Sequence, residues 1–390
     1  MRKLLSIVVM VWLLLPIHFS IAQEESVLLC DHAVETTVQD NFGGLEEKMK
    51  QLVAAGVPGF VIGVESSKGS YYGAAGLAQI ENRVPMGICH LQYLQSISKL
   101  YLAVSILQFH ETGALDLDLP ISNYLPSELA AWVEGSDRMT VRMLLNHTSG
   151  IPEYNYLANY VSLLLQSPEH EFIPEDYIEL IKGKELDFEP GSKYSYRNSG
   201  YVLLALMMDF LTGDHAQYMQ EHIFDQLGLE NTFYRNDSNY LTYPNLVNGY
   251  WDRFSNGIIE NSSRLQIANV SRLVGDDGIV TTPRDAIIFL QALMKGRLIS
   301  EESLSEMKNW VSDSNGNPAY GLGLDYSEFA GEKAFGHSGG GLGAGSQLYY
   351  FPEKDLYFFM AINLATVTDS PIHQDAEPIL NEIYKLLIKG

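Results

Sequence analysis

Apolar residues recur along this chain in two rhythms, and the way they alternate predicts its elements. Leu45 to Ala55 carries its apolar positions at helical spacing and stops at Gly56-Val57-Pro58, residues that end a helix. Two short apolar runs follow, Phe60 to Glu65 and Tyr71 to Leu77. Ser66-Ser67-Lys68-Gly69 between them is turn chemistry, so the pair predicts a hairpin. Leu94 to His110 is apolar nearly all round, with Lys99 its one charge, and helices of that kind sit inside proteins. Gly113 is a natural stop. From there to about Thr281 the text is helical and loop-rich, punctuated by prolines such as Pro120, Pro152 and Pro190. A second apolar helix, Tyr201 to Leu211, stops at Gly213. Strand patterns return late, at Gln347 to Phe351 and Leu356 to Asn363, joined by Pro352-Glu353-Lys354-Asp355. The last helix runs from about Pro378 to Lys389.

That order predicts an α+β fold: an antiparallel sheet closed by both termini and flanked by helices, with a mostly helical insertion at roughly 113–281. A seam between two such parts is a natural place for an active site. No repeat or Pro/Ser-rich linker divides residues 45–390, which read as one domain preceded by an extension at 23–44. Residues 1–22 read as an export signal. Arg2 and Lys3 precede a charge-free run from Leu4 to Leu15, and Ser20-Ile21-Ala22 supplies small residues for cleavage. The run is short against the roughly 20 apolar residues a bilayer requires. The mature protein is therefore expected outside the cytoplasm, periplasmic or secreted, with no membrane span.

Composition adds constraints of its own. With 46% hydrophobic residues the chain can build a substantial core. A formal net charge of −23 argues against nucleic acid as a partner and against loose binding to anionic lipid. Cys30 and Cys89 are the only cysteines, and in an oxidising compartment they could pair.

Three short motifs carry the candidate chemistry. Ser96-Ile97-Ser98-Lys99 puts a hydroxyl and an amine three residues apart at the start of a helix, on one face. The helix N-terminus favours a developing alkoxide. Apolar neighbours such as Leu100, Leu102 and Ala103 disfavour the charged lysine, as a general base requires. Ser305-Glu306-Met307-Lys308 repeats the spacing in a polar helix and reads as a solvated face. Tyr196-Arg197-Asn198 follows a Pro190-Gly191 turn and precedes a buried helix, so its phenol and amide can point into a cleft. Tyr234-Arg235-Asn236 and Tyr243-Pro244-Asn245 share its letters without that context. His337-Ser338-Gly339 lies in the glycine-rich stretch Gly336 to Gly345, where a substrate could approach the backbone as an added strand. The other histidines lack metal-ligand spacing, and Asp276-Asp277-Gly278 reads as a turn rather than a cation site.

With these motifs in this order, roughly 100 and then 140 residues apart, the chain resembles the serine β-lactamase and penicillin-binding protein superfamily. Within it the resemblance is to the branch of class C β-lactamases, D-Ala-D-Ala carboxypeptidases, D-aminopeptidases and related esterases. Gly113 to Asp118, Leu144 to Pro152, Phe188 to Gly191, Asn198 to Tyr201, Leu227 to Leu229 and Gly278 to Asp285 also read like family segments. The resemblance implies a serine hydrolase in which Ser96 attacks a carbonyl and is acylated. Lys99 and Tyr196 share the roles of base and acid, and Asn198 binds the substrate amide or orients Lys99. His337, Ser338 and Gly339 form an edge strand for the substrate, and backbone N–H groups of Ser96 and Gly340 make an oxyanion hole. It implies no metal and no organic cofactor, and a small-molecule or peptide substrate.

Three departures narrow the reading. Tyr196-Arg197-Asn198 stands where other branches carry Ser-Asp-Asn, and His337 stands where β-lactamases carry the lysine of Lys-Thr-Gly. A mostly neutral histidine holds a β-lactam carboxylate less well. Gln92 and Gln95 occupy places where an aromatic and a small residue are expected. The expected function is an exported hydrolase acting on an ester or a D-amino-acid-type amide. The alternatives are a cell-wall D-Ala-D-Ala carboxypeptidase or weak β-lactamase, and a non-catalytic envelope binding protein on the same scaffold.

Overall fold

The computed structural model describes residues 42–170, 172–234, 239–267, 270 and 275–389. Residues 1–22, expected to be an export signal, and Cys30 lie outside the described residues; Cys89 is not a free thiol.

Helix α1 (Leu45–Ala54) leads into the hairpin β1 (Gly59–Ser66) and β2 (Gly69–Gln79), followed by the short β3 (Val84–Pro85). Two helices buried along most of their length come next, α2 (Ser98–Glu111) and α3 (Asn198–Thr212), with shorter helices between and after them. Helix α4 (Pro283–Met294) returns the chain to the sheet. Strands β4 (Val311–Ser312), β5 (Pro318–Tyr320), β6 (Asp325–Phe329), β7 (Glu332–Gly340), β8 (Gly345–Phe351) and β9 (Leu356–Ile362) then precede α5 (Pro371–Lys389).

The nine strands form one antiparallel sheet in the order β3-β2-β1-β9-β8-β7-β6-β5-β4. The first long strand and the last pair directly, with Ile62 opposite Met360, so both ends of the described chain close the sheet. Strict alternation sorts its side chains. Phe60, Ile62, Val64, Phe358 and Met360 join α1 and α5 in one apolar cluster. Val61, Phe359 and Ala361 face the other way, into the cluster that holds α2, α3 and α4. Both faces are covered, which is why β1 and β9 read as continuous apolar runs rather than alternating ones. Full burial of each such side chain is worth about 1.5–3 kcal/mol.

The expected hairpins and central helices are present, with two differences. Helix α5 begins at Pro371 and contains Pro378. That proline is exposed, so the carbonyl its missing N–H leaves free is solvated and the helix continues through it. Strands β4 to β6 were not expected, and β7 was expected only as a substrate edge at His337 to Gly339 within the glycine-rich stretch Gly336 to Gly345. Instead β7 and β8 pair through that stretch, from Phe335–Tyr350 to Gly340–Gly345. A Cβ on Gly339 would sit 2.1 Å from the Leu94 carbonyl oxygen, so the missing side chain lets β7 press against the turn that carries Ser96.

A smaller ribbon ties that turn down. Gln92–Tyr93 pairs with Val280–Thr281, and Leu94 N–H donates to the Ile279 carbonyl at 3.0 Å. The Ser98 hydroxyl accepts from Ile279 N–H at 3.2 Å. Residues just after Asp276-Asp277 are thereby fixed beside the start of α2.

Gly339→Ala is expected to cost about 1–3 kcal/mol through overpacking, read as a lower urea midpoint with the slope unchanged. An unchanged midpoint would contradict the close approach of β7 to Leu94.

Candidate active site

Ser96 occupies a single 3-10 turn, Gln95–Ile97, immediately before α2. Gln95 holds a positive φ of 51°, a left-handed conformation that costs a non-glycine residue about 1–3 kcal/mol unless its surroundings impose it. They do so here. The Gln95 side-chain amide donates to Gln266 at 3.3 Å, and Ser346 Oγ donates to the Leu94 carbonyl at 2.9 Å. Gln92 is also interior, donating to the His90 carbonyl at 3.2 Å. Gln95 therefore braces the turn that carries Ser96, while Gln92 ties down the strand just before it.

Lys99 is fully buried. Its Nζ donates to Ser96 Oγ at 2.9 Å and to the Asp276 carbonyl oxygen at 2.8 Å. The rings of Tyr196 and Tyr201 lie 5.1 and 5.7 Å from it. Burial holds the amine below the ordinary lysine value, against the opposing pull of Asp276, Asp277 and Glu153. Once neutral, the amine can accept the Ser96 proton along the hydrogen bond already present. By contrast, Ser305 of the look-alike motif is exposed on its helix.

Tyr196 lies on the loop before α3, which Arg197 anchors. The Arg197 guanidinium donates to Asp187 at 2.8 Å and to the Ile151 carbonyl at 3.1 Å, and its N–H donates to His147 Nδ1 at 3.2 Å. The Tyr196 hydroxyl is buried and, among the described residues, makes no hydrogen bond of good geometry. Burial drives its pKa well above 10, while the neighbouring Ser96 hydroxyl draws it down a little. Asn198 opens α3, and its N–H donates to the Glu153 carboxylate. Burial pushes Glu153 up to about 7.

His337 is buried and neutral. Its Nε2 pairs with the Tyr320 hydroxyl at 2.7 Å and its Nδ1 with the Ser338 carbonyl at 2.6 Å, and burial lowers its pKa to about 3. Its ring centroid lies 6.3 Å from that of Tyr196. Strand β7 is an interior strand, paired with β6 only as far as Gly336. From His337 to Gly340 it pairs with β8 alone, so this segment provides the open edge expected there.

A cleft of 340 Å³ holds Ser96, Asn198, Asp276, Asp277, Gly340 and Leu342 in its wall. Tyr156, Tyr160, Val161, Leu164, Leu165 and Trp251 form an apolar side. Ser96 and Gly340 thus border one space. Lys99, Tyr196, His337 and Gly339 do not line it; Lys99 meets it through its hydrogen bond to Ser96. Ser338 is exposed on the opposite face of β7 and lines a second cleft with Met360, Thr366 and Tyr384. Sequence reasoning missed Glu153, Tyr154, His147 and Tyr320. Their one sequence signal was position, since the first three lie in or beside the segment Leu144 to Pro152.

Among the described residues, Asp209, Asp214 and His215 approach one another at metal-ligand spacing. Their atoms are engaged internally: His215 joins Asp209 at 2.7 Å and Tyr234 at 2.8 Å, and Asp214 caps its helix.

The site therefore joins a hydroxyl in the cleft wall to a buried amine behind it, with the Tyr196 ring 5.1 Å from that amine: the equipment for acyl transfer. A profile of the beta-lactamase family matches residues 45–377. Penicillin-binding protein 4* of Bacillus subtilis is 27% identical over 337 residues, covering 83% of this chain and 72% of that protein. A D-aminopeptidase of Brucella ovis is 29% identical over 220 residues, 55% of this chain and 40% of that protein. Among solved structures, a D-stereospecific amidohydrolase from Streptomyces matches with a TM-score of 0.74 at 26% identity, covering 85% of this chain and 96% of that one. The D-amino acid amidase of Ochrobactrum anthropi SV3 shares the fold, with a TM-score of 0.77 at 23% identity over 90% of this chain and 99% of that one. On a profile match over most of its length, the chain belongs to the beta-lactamase family and is a serine hydrolase.

Proposed function

We propose that this protein is an exported hydrolase that acts through an acyl-enzyme on Ser96, taking an ester or a D-amino-acid-type amide. The observation that carries this reading is the 2.9 Å hydrogen bond between Ser96 Oγ and a fully buried Lys99 amine. A buried amine that rests on a hydroxyl and a carbonyl oxygen, with no carboxylate bonded to it, is poised to be neutral.

In the first half-reaction Ser96 Oγ bonds to the substrate carbonyl carbon as its proton passes to Lys99 Nζ. Tyr196, whose hydroxyl stays protonated because burial disfavours the phenolate, gives its proton to the leaving oxygen or nitrogen and regains one from Lys99. The carbonyl–leaving-group bond breaks and an ester on Ser96 remains. Water then reverses the sequence: its proton goes to the same relay, its oxygen bonds to the acyl carbon, and Ser96 leaves with a proton. The developing oxyanion would take N–H bonds at Ser96 and Gly340, and losing one such donor typically costs about 100- to 1000-fold in kcat. Asn198, in the wall of the same cleft, would hold the substrate amide.

The electrostatics support an ester or amide over a substrate carried by its carboxylate. Burial keeps His337 neutral, and among the described residues Lys99 is the basic group bonded to the nucleophile. Carboxypeptidase and β-lactamase activity are correspondingly weak alternatives. The intact Ser96–Lys99 pair argues against a retired binding protein. Export rests on the pattern of residues 1–22.

Intact-protein mass after fluorophosphonate treatment is expected to show one adduct on the wild type. Ser96→Ala should show none, fold normally and lose at least about 10³-fold in hydrolysis. A folded wild type without an adduct would overturn the reading. The labelling rate should rise with pH and level off below the 10.5 of an ordinary lysine, because only the neutral amine takes the proton. Lys99→Met should label slowly without that rise; an identical pH profile would remove Lys99 from the role of base.

A further inference from the structure

The cleft holds more negative groups than the chemistry above uses. Glu153 is spoken for by the N–H groups of Asn198 and Asn155. Asp276 is 1% exposed, and its Oδ2 accepts from the Tyr154 hydroxyl at 2.7 Å. Its Oδ1, however, has no partner among the described residues, and neither do Asp277 Oδ1 and Asn155 Oδ1, all of them buried atoms. These three residues line the same cleft as Ser96. Lys99 does not neutralise them by contact, since it bonds to the Asp276 carbonyl rather than to a carboxylate. Among the described residues, no lysine or arginine is in the cleft wall. The sequence reading of Asp276-Asp277-Gly278 as a turn accounts for the backbone and leaves these oxygens unexplained.

Buried acceptors without donors are costly, and each normally finds a partner. Here the missing partner has a definite description: a compact cation with several N–H donors, entering from the cleft. We propose that Asp276 and Asp277, with Asn155 Oδ1, bind the free ammonium group of the substrate's acyl part, so that the substrates are amino-acid esters or amides with an unblocked amine. This rests on the reading of Ser96 as the nucleophile and names the substrate class for that site.

Position supports it. The Asp276 carbonyl is two hydrogen bonds from Ser96 Oγ through Lys99 Nζ, the neighbourhood in which an α-amino group falls when its own carbonyl carbon meets Ser96. The apolar side of the cleft, from Tyr156 to Leu165, then receives an apolar side chain. Burial raises both aspartates above the usual carboxylate range, opposed by Lys99; a bound ammonium would relieve part of that cost. Asp276 and Asp277 are specificity-determining residues in this account, and neither takes a proton from the substrate.

The test uses the full mature protein and matched substrate pairs: phenylalanine p-nitroanilide, in D and L forms, against its des-amino counterpart, 3-phenylpropanoyl p-nitroanilide. The wild type should favour the better amino enantiomer over the des-amino compound by about 100-fold or more in kcat/KM, as sites built for a polar group reject analogues without it. In Asp277→Asn and Asp276→Asn that ratio should collapse toward one while fluorophosphonate still labels Ser96. A wild-type ratio near one with Ser96 labelled, or an unchanged ratio in both variants, would overturn the ammonium site and leave the nucleophile standing. Activity lost on dialysis against EDTA and restored by calcium would also overturn it, by giving the oxygens to a metal ion. Absence of labelling on folded wild type would instead sink the nucleophile reading and this proposal with it.

Discussion

The burial of one amine organises this molecule. Lys99 sits at the start of a helix apolar all round, out of contact with water, and its charged form is disfavoured there. Burying a charge is expensive unless it is paired or neutralised. Lys99 is held by oxygens that cost little to satisfy, a serine hydroxyl and a backbone carbonyl. The same environment that makes the lysine costly makes it a base, so stability and reactivity at this point are one constraint. Placing those two oxygens requires the ribbon of Gln92–Tyr93 with Val280–Thr281, which brings Asp276 beside Ser96 across the chain.

The sheet serves that arrangement from the other side. Because β1 and β9 pair directly, the first and last described strands lie together against α1 and α5, and β7 can run its glycine edge over the nucleophile turn. Gly339 is where this matters, since any side chain there meets the Leu94 carbonyl.

Much of this was legible in the order of residues. The helix at Leu45, the hairpin around Ser66 to Gly69, both apolar helices and the last two strands follow from local pattern, and local pattern is where sequence is informative. Strands β4 to β6, and the full length of β7, were hidden because their identity lies in pairing rather than in their own letters. Gly336, Gly339 and Gly340 look like flexibility, yet their partners across β8 extend them. Helix α5 was read too short because Pro378 is a breaker only where its lost hydrogen bond is buried.

The site shows the same division. Ser96 and Lys99 were readable because their spacing is local and the helix around them is plainly interior. Glu153, Asp276 and Asp277 were not, since their burial beside Lys99 arises from contacts more than a hundred residues apart for the two aspartates. Ser338 differs again: strand alternation sends its side chain to the far face of β7, away from the Ser96 cleft. The most direct test of the account is the titration of Lys99 itself, followed by NMR of lysine labelled at Cε and Nζ and assigned with Lys99→Met. The account predicts one lysine signal, absent from the variant, that loses its proton at a pH clearly below the 10.5 of an ordinary lysine. A Lys99 that stays charged up to or beyond that value would contradict it.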